Sequence, residues 1–163
     1  MRLFVILFVL SFISCAQIEA TNYTVSLKGL QNIWQEKNIV EAKKEIKSLK
    51  LIKEDREYQT WGTPQPGFES TPLTIFVEKK TAKIVSMALS LYDRSKNGVN
   101  FIKSQILATD WKTIERPIKT HHLRQEISEY SESQGVSFIY EKTDPKKEVN
   151  VVYWGANPKT INW

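Results

Sequence analysis

Cysteine and histidine are scarce in this 163-residue chain. The single cysteine, Cys15, has no partner in the chain for a disulfide, and a zinc site built on several cysteines is excluded. The two histidines, His121 and His122, are adjacent, and neighbouring side chains on a strand point to opposite faces. Because such a pair cannot chelate one ion in ordinary geometry, we predict no metal site and no cofactor.

Motifs for nucleophilic and phosphate chemistry are also missing. No serine lies in a G-x-S-x-G elbow, and the few glycines form no glycine-rich phosphate loop. A glycosidase needs two carboxylates on one face, but Glu126 and Glu129 have opposite parity along a strand. We therefore predict that the chain is not an enzyme.

Long hydrophobic runs are absent except at the N-terminus. Arg2 is followed by apolar residues from Leu3 to Ile13 and then by small residues, which is the layout of a secretory signal. The run is too short to cross a bilayer, which takes about 20 apolar residues. We assign residues 1–20 to a signal peptide. Ordinary cleavage would discard Cys15, whereas Phe12-Ile13-Ser14-Cys15 also resembles a bacterial lipobox, in which Cys15 is lipidated.

The absence of disulfides after residue 20 is typical of periplasmic bacterial domains, whereas secreted eukaryotic domains of this size usually contain them. We therefore expect an exported protein of a Gram-negative bacterium, either free in the periplasm or anchored to a membrane through Cys15. The net charge of +5 comes from lysines spread along the chain, which is typical of a solvated surface. Nucleic-acid binding needs a basic patch interleaved with aromatic residues, and we predict no nucleic-acid partner and no small-molecule ligand.

Periodicity in the first part of the chain predicts helices followed by strands. Apolar residues recur at helical spacing from Leu27 to Trp34, and again over 39–49, where Asn38 can cap the second helix. Residues 56–61 alternate as a strand does. A hairpin follows, with strands at 73–78 and 85–91 joined by a polar turn.

The same order returns after a polar break at 93–98. Residues 99–107 have helical spacing, and Asp110 can cap a further turn through Trp111 and Ile114. Strands are predicted over 123–130, 136–140 and 149–154. We therefore predict an α+β fold of two tandem units, 21–93 and 94–163. In each unit one or two helices precede a three-stranded antiparallel meander and pack on one face of it, and the units form one globular body.

The two halves can be overlaid through one pair of segments. Phe76-Val77-Glu78-Lys79-Lys80 corresponds to Ile139-Tyr140-Glu141-Lys142-Thr143, which lies 63 residues later. Helices and a three-stranded meander, occurring twice, resemble the tandem architecture of the beta-lactamase-inhibitor-like proteins. Each half is also similar to small outer-membrane assembly lipoproteins of the BamE or SmpA type. The resemblance implies protein binding through the sheet face or its loops and no enzymatic activity.

Aromatic residues beside a proline-rich loop are the candidate contact site. Trp61 and Phe68 flank the segment Thr63-Pro64-Gln65-Pro66-Gly67, which is long for a connection between neighbouring strands. Aromatic side chains are favoured interface anchors, and long loops on rigid sheets often bind partners. We predict that Trp61, Pro64, Pro66 and Phe68 bind another envelope or secreted protein. The expected function is that of a non-catalytic accessory or scaffold protein of the bacterial envelope, with inhibition of a periplasmic or secreted enzyme as the alternative.

Overall fold

The computed structural model describes residues 26–64, 72–91, 96–116 and 126–155. Within these ranges the fold is α+β, with three helices and eight strands in one antiparallel sheet, so the α+β part of the fold prediction is confirmed. Cys15 and the rest of the predicted signal peptide lie outside the described residues. His121, His122, Pro66 and Phe68 also lie outside them.

The helices are short and begin at recognisable caps. Helix α1 (Leu27–Glu36) begins after Ser26, whose hydroxyl accepts a hydrogen bond from the Gly29 N–H at 3.1 Å. Helix α2 (Ile39–Glu45) begins at Asn38, as predicted, with the Asn38 side chain accepting from the Val40 N–H at 2.9 Å. Helix α3 (Val99–Gln105) follows Gly98 and has no side-chain cap.

The strands form two meanders that meet in the middle of the sheet. In chain order they are β1 (Lys50–Glu54), β2 (Tyr58–Gly62), β3 (Leu73–Glu78), β4 (Lys83–Ser90), β5 (Lys112–Arg116), β6 (Glu126–Ser131), β7 (Val136–Glu141) and β8 (Val149–Trp154). The spatial order is β1-β2-β3-β4-β8-β7-β6-β5. The last strand of each meander therefore pairs with the last strand of the other, and β1 and β5 are the two edges.

The sheet differs from the prediction in having four strands on each side of the β4–β8 seam. Strand β1 was missed because all five of its residues are exposed, so it has no buried face to produce an alternating pattern. Strand β5 occupies the place of the helical turn predicted after Asp110, and that turn was wrong. The Asp110 carboxylate does not cap a helix but accepts hydrogen bonds from the Ser131 and Ser133 hydroxyls at 2.5 and 2.8 Å.

The core lies between the helices and one face of the sheet. Alternate residues of β3 and β4 are buried there, together with the apolar stripes of the helices. The fully buried large side chains include Trp154, Phe138, Leu30, Ile75 and Ile102. Burial of each such side chain stabilises the fold by roughly 1.5–3 kcal/mol, so this layer holds the helices on the sheet.

Helix α1 crosses the seam and contacts strands from the second half. Gln31 donates from Nε2 to the backbone oxygen of Gln134 at 3.1 Å, and its Oε1 accepts from Trp154 Nε1 at 2.7 Å. The Trp34 ring packs closely against the backbone at Gly135 and Gly155. These contacts join the N-terminal helix to β7 and β8, so neither half buries its core alone.

Several backbone contacts recur in both halves. The Ile84 N–H, at the start of β4, donates to the Lys37 oxygen at 3.0 Å, and the Val149 N–H, at the start of β8, donates to the Asn97 oxygen at 2.8 Å. In each case the accepting residue lies just before a helix. A left-handed residue also comes two positions before each donor, namely Ala82 (φ 55°) and Lys147 (φ 48°).

Candidate protein-binding surface

Among the described residues, the helices pack on one face of the sheet, and no helix lies on the other face. On β3, Ile75 and Val77 point into the core, so Phe76 points to the opposite side. On β8, Val152 and Trp154 are buried in the core, and Tyr153 points away from it. We call this side the open face. By register its residues include Tyr58, Thr60, Thr74, Phe76, Ser86, Ala88, Ile139 and Tyr153. Ser128, Tyr130 and Ser137 also point to this side, but they are buried.

Two exposed aromatic rings mark the first half of the open face. Phe76 lies in the middle of β3 and is 39% exposed, as is Tyr58 on β2. The residues paired with Phe76 on the neighbouring strands are Thr60 and Ser86, which are small and carry hydroxyls. An exposed phenylalanine surrounded by short polar side chains can insert into a partner, because no larger neighbour shields it.

The second half of the open face contains a depression of about 340 Å³ lined by side chains of β6, β7 and β8. Glu126 and Glu141 are directly opposite each other on β6 and β7 and both line it, as does Tyr153. Burial raises the pKa of the Tyr153 hydroxyl, and the charge of Glu126 raises it further. The depression can accept hydrogen bonds and attract cations, and the described residues that line it include no serine, cysteine or histidine.

A buried charged cluster lies on the helix side of the sheet. Glu129 on β6 is 5% exposed, accepts a hydrogen bond from the Tyr140 hydroxyl at 2.9 Å, and forms an ion pair with Lys103 of α3. Lys103 also lies over the Trp111 ring, with Nζ 5.4 Å from the ring centroid. The ion pair and the hydrogen bond together join α3 to strands β6 and β7 of the sheet.

The Tyr140 hydroxyl gives the protein a stability change in strong alkali. Burial and the hydrogen bond to Glu129 raise the Tyr140 pKa to about 12 from its ordinary value of 10.0. A raised pKa means that this stabilisation is complete below pH 10 and is lost as the pH rises through about 12. We expect Tyr140→Phe to cost about 1 kcal/mol near pH 7 and progressively less above pH 10. Urea unfolding at several pH values measures this difference, and a constant difference across that window would contradict the assignment.

Of the four residues predicted from the sequence as a contact site, the structure describes Trp61 and Pro64. Trp61 is half-buried on the helix side of β2, where its ring packs against the core beneath Lys43, whose Nζ is 4.4 Å from the ring centroid. Pro64 is exposed just after β2. Pro66 and Phe68 lie outside the described residues. Sequence reasoning did not single out Phe76 as an exposed aromatic residue, although its position between two core residues already placed it on the other face.

Within the described ranges no group of three or more histidine, cysteine or acidic residues could hold a metal ion. No helix of this part of the chain is long and apolar enough to span a membrane. Comparison with protein-family models, curated proteins and solved structures finds no significant match.

Proposed function

We propose that this chain is an exported, non-catalytic protein-binding protein of a bacterial envelope, and that it contacts its partner through the open face. The observation that supports this most directly is the exposure of Phe76 in the middle of a strand, on the face opposite the helices that the structure describes. Aromatic residues are enriched where protein surfaces bind one another, and Tyr58 and Phe76 are both exposed on this face. Pro64 and its loop adjoin the end of β2 and form a second candidate contact.

We also propose that the fold arose from two tandem units joined at the β4–β8 seam. In this proposal each unit has four strands and corresponds to one of the segments 21–93 and 94–163. The recurring hydrogen bonds before β4 and β8, and the left-handed residue before each of them, support it. The antiparallel pairing of β4 with β8 relates the two meanders approximately by a two-fold rotation.

The proposal of export is based on the N-terminal signal, and the proposal of membrane attachment is based on Cys15. If Cys15 is lipidated, several acyl chains would hold the protein at a membrane, because stable anchoring takes more than one chain. If the signal is cleaved after Cys15, the protein is free in its compartment. A resident envelope partner would fit an accessory role, whereas a partner that must be supplied from outside would fit the inhibitor alternative.

A photo-crosslinking experiment tests the open face. A benzophenone side chain is placed at position 76, and in a matched control at position 101, because Phe101 on α3 is 37% exposed on the helix side. We expect a discrete crosslinked protein from position 76 only. Phe76→Ser should weaken binding of that protein at least about tenfold, as loss of an aromatic anchor does, whereas Phe101→Ser should leave it unchanged.

Two results would contradict the proposal. Crosslinks of equal yield from both positions would show that the open face is not preferred. Unchanged affinity in Phe76→Ser, with the same melting temperature as the Phe101→Ser control, would show that Phe76 does not contact the partner. Identification of the crosslinked protein by mass spectrometry distinguishes the accessory role, in which the partner is an envelope component, from the inhibitor role, in which the partner is an enzyme.

A further inference from the structure

The lysines of the first half are concentrated at one edge of the molecule. Residues 37–54 contain six lysines and three glutamates, and all six lysines are exposed. The corresponding segment of the second half, 97–116, has a net charge of only +1. Charge therefore distinguishes two segments that occupy equivalent places in the fold.

Five of these lysines lie on α2, on β1 or between them, whereas Lys37 lies beside the start of β4, where its oxygen accepts a hydrogen bond from the Ile84 N–H. Helix α2 carries Lys43 above Trp61, Trp61 pairs with Leu51 on β1, and β1 is the outermost strand. Exposed aliphatic side chains lie among the lysines, with Val40 at 54%, Leu51 at 44% and Ile52 at 48%. We call this surface the α2–β1 edge: Val40, Lys43, Lys44, Lys47, Lys50, Leu51, Ile52 and Lys53.

The acidic residues of the segment are partly neutralised. Glu41 pairs with Lys44 at 2.7 Å, and Glu54 pairs with Lys79, which lies outside the segment. The remaining lysines keep this edge electropositive. Their ammonium groups are at the ends of flexible chains, so they can reach a plane of negative charge without a shaped pocket.

We propose that the α2–β1 edge binds the surface of an anionic lipid bilayer. Lysine is depleted in protein interfaces, whereas several lysines beside exposed aliphatic residues are typical of surfaces that contact anionic lipids. The lysines bind lipid phosphates, and Val40, Leu51 and Ile52 enter the boundary between headgroups and acyl chains. This orientation turns one edge of the sheet toward the membrane.

Vesicle co-sedimentation tests this proposal. The full chain carrying Cys15→Ala, which prevents lipidation, is mixed with phosphatidylcholine vesicles with or without phosphatidylglycerol. The variant Lys47→Gln/Lys50→Gln/Lys53→Gln removes three charges from the edge. The control variant Lys28→Gln/Lys80→Gln/Lys146→Gln removes three exposed charges elsewhere and has the same net charge. Any binding by the apolar N-terminal segment is common to both variants.

We expect the edge variant to bind phosphatidylglycerol vesicles about a hundredfold more weakly than the unsubstituted Cys15→Ala chain, at about fivefold per lysine. The control variant should lose much less, and replacement of the same three edge lysines with arginine should preserve binding. Leu51→Thr/Ile52→Thr should reduce the binding that survives high salt. Equal losses in the edge and control variants would overturn the proposal, as would equal binding to vesicles with and without phosphatidylglycerol.

Discussion

Gly155→Ala should lower the free energy of unfolding by about 3 kcal/mol, which is a large fraction of the stability of a single domain. Gly155 has a φ of +78°, a backbone conformation that residues other than glycine rarely adopt. A Cβ atom there would lie 2.6 Å from Trp34 Cη2 and 2.6 Å from the backbone oxygen of Val85. Because one of these contacts is with backbone, rotation of the Trp34 side chain alone cannot relieve the overlap.

Gly98→Ala is the matched control for this prediction. Gly98 has a φ of −68°, and a Cβ atom there would have no neighbour within 4 Å. We expect a change below about 1 kcal/mol, because loss of freedom in the unfolded chain offsets a slightly poorer helix cap. Urea unfolding followed by tryptophan fluorescence measures both variants. Equal stabilities would show that the backbone at Gly155 can move away from Trp34.

Lys103→Met should lower the free energy of unfolding by about 2 kcal/mol at neutral pH, because it leaves the Glu129 carboxylate without its cation. Only 7% of the Glu129 side chain is exposed, so water cannot replace the ammonium group efficiently. The expected loss is smaller than for a fully buried pair because 32% of the Lys103 side chain is in contact with water.

A second substitution tests the cause of that loss. Glu129→Gln in the Lys103→Met background removes the buried charge and keeps an oxygen that can accept the Tyr140 hydrogen bond, so stability should recover to within about 1 kcal/mol of the original chain. Lys43→Met is the control, because Lys43 lies over Trp61 and should cost under about 1 kcal/mol. If the double variant is as unstable as Lys103→Met, the loss comes from packing of the lysine chain and not from charge.

The sequence predicted elements whose burial alternates and missed those whose position depends on pairing. Strand β3 shows a clear two-residue period because Leu73, Ile75 and Val77 are all buried. Strand β1 shows no such period, because all of its residues are exposed and its position in the sheet depends on backbone pairing with β2. The role of Asp110 was also hidden from the sequence pattern, because its hydrogen-bond partners Ser131 and Ser133 lie about twenty residues away in the chain.

The candidate site was predictable only in part. Chain position identified Trp61 as a residue beside a loop, but packing beneath Lys43 of α2 determines that it contributes to the core. Phe76 could be placed on the face opposite the core from alternation alone. The exposure of Phe76 could not be predicted, because it depends on the small size of its neighbours Thr60 and Ser86, which lie on the two adjacent strands.

The order of strands has a consequence for the timing of folding. Strand β8 comes after every other described strand in the chain, yet it lies in the middle of the sheet between β4 and β7. In a chain that becomes available for folding from its N-terminus onward, β4 remains an unpaired edge until residues more than sixty positions later have followed. Native pairing across the seam is therefore a late, long-range event, and a chain stopped before residue 149 exposes β4 to pairing with other chains.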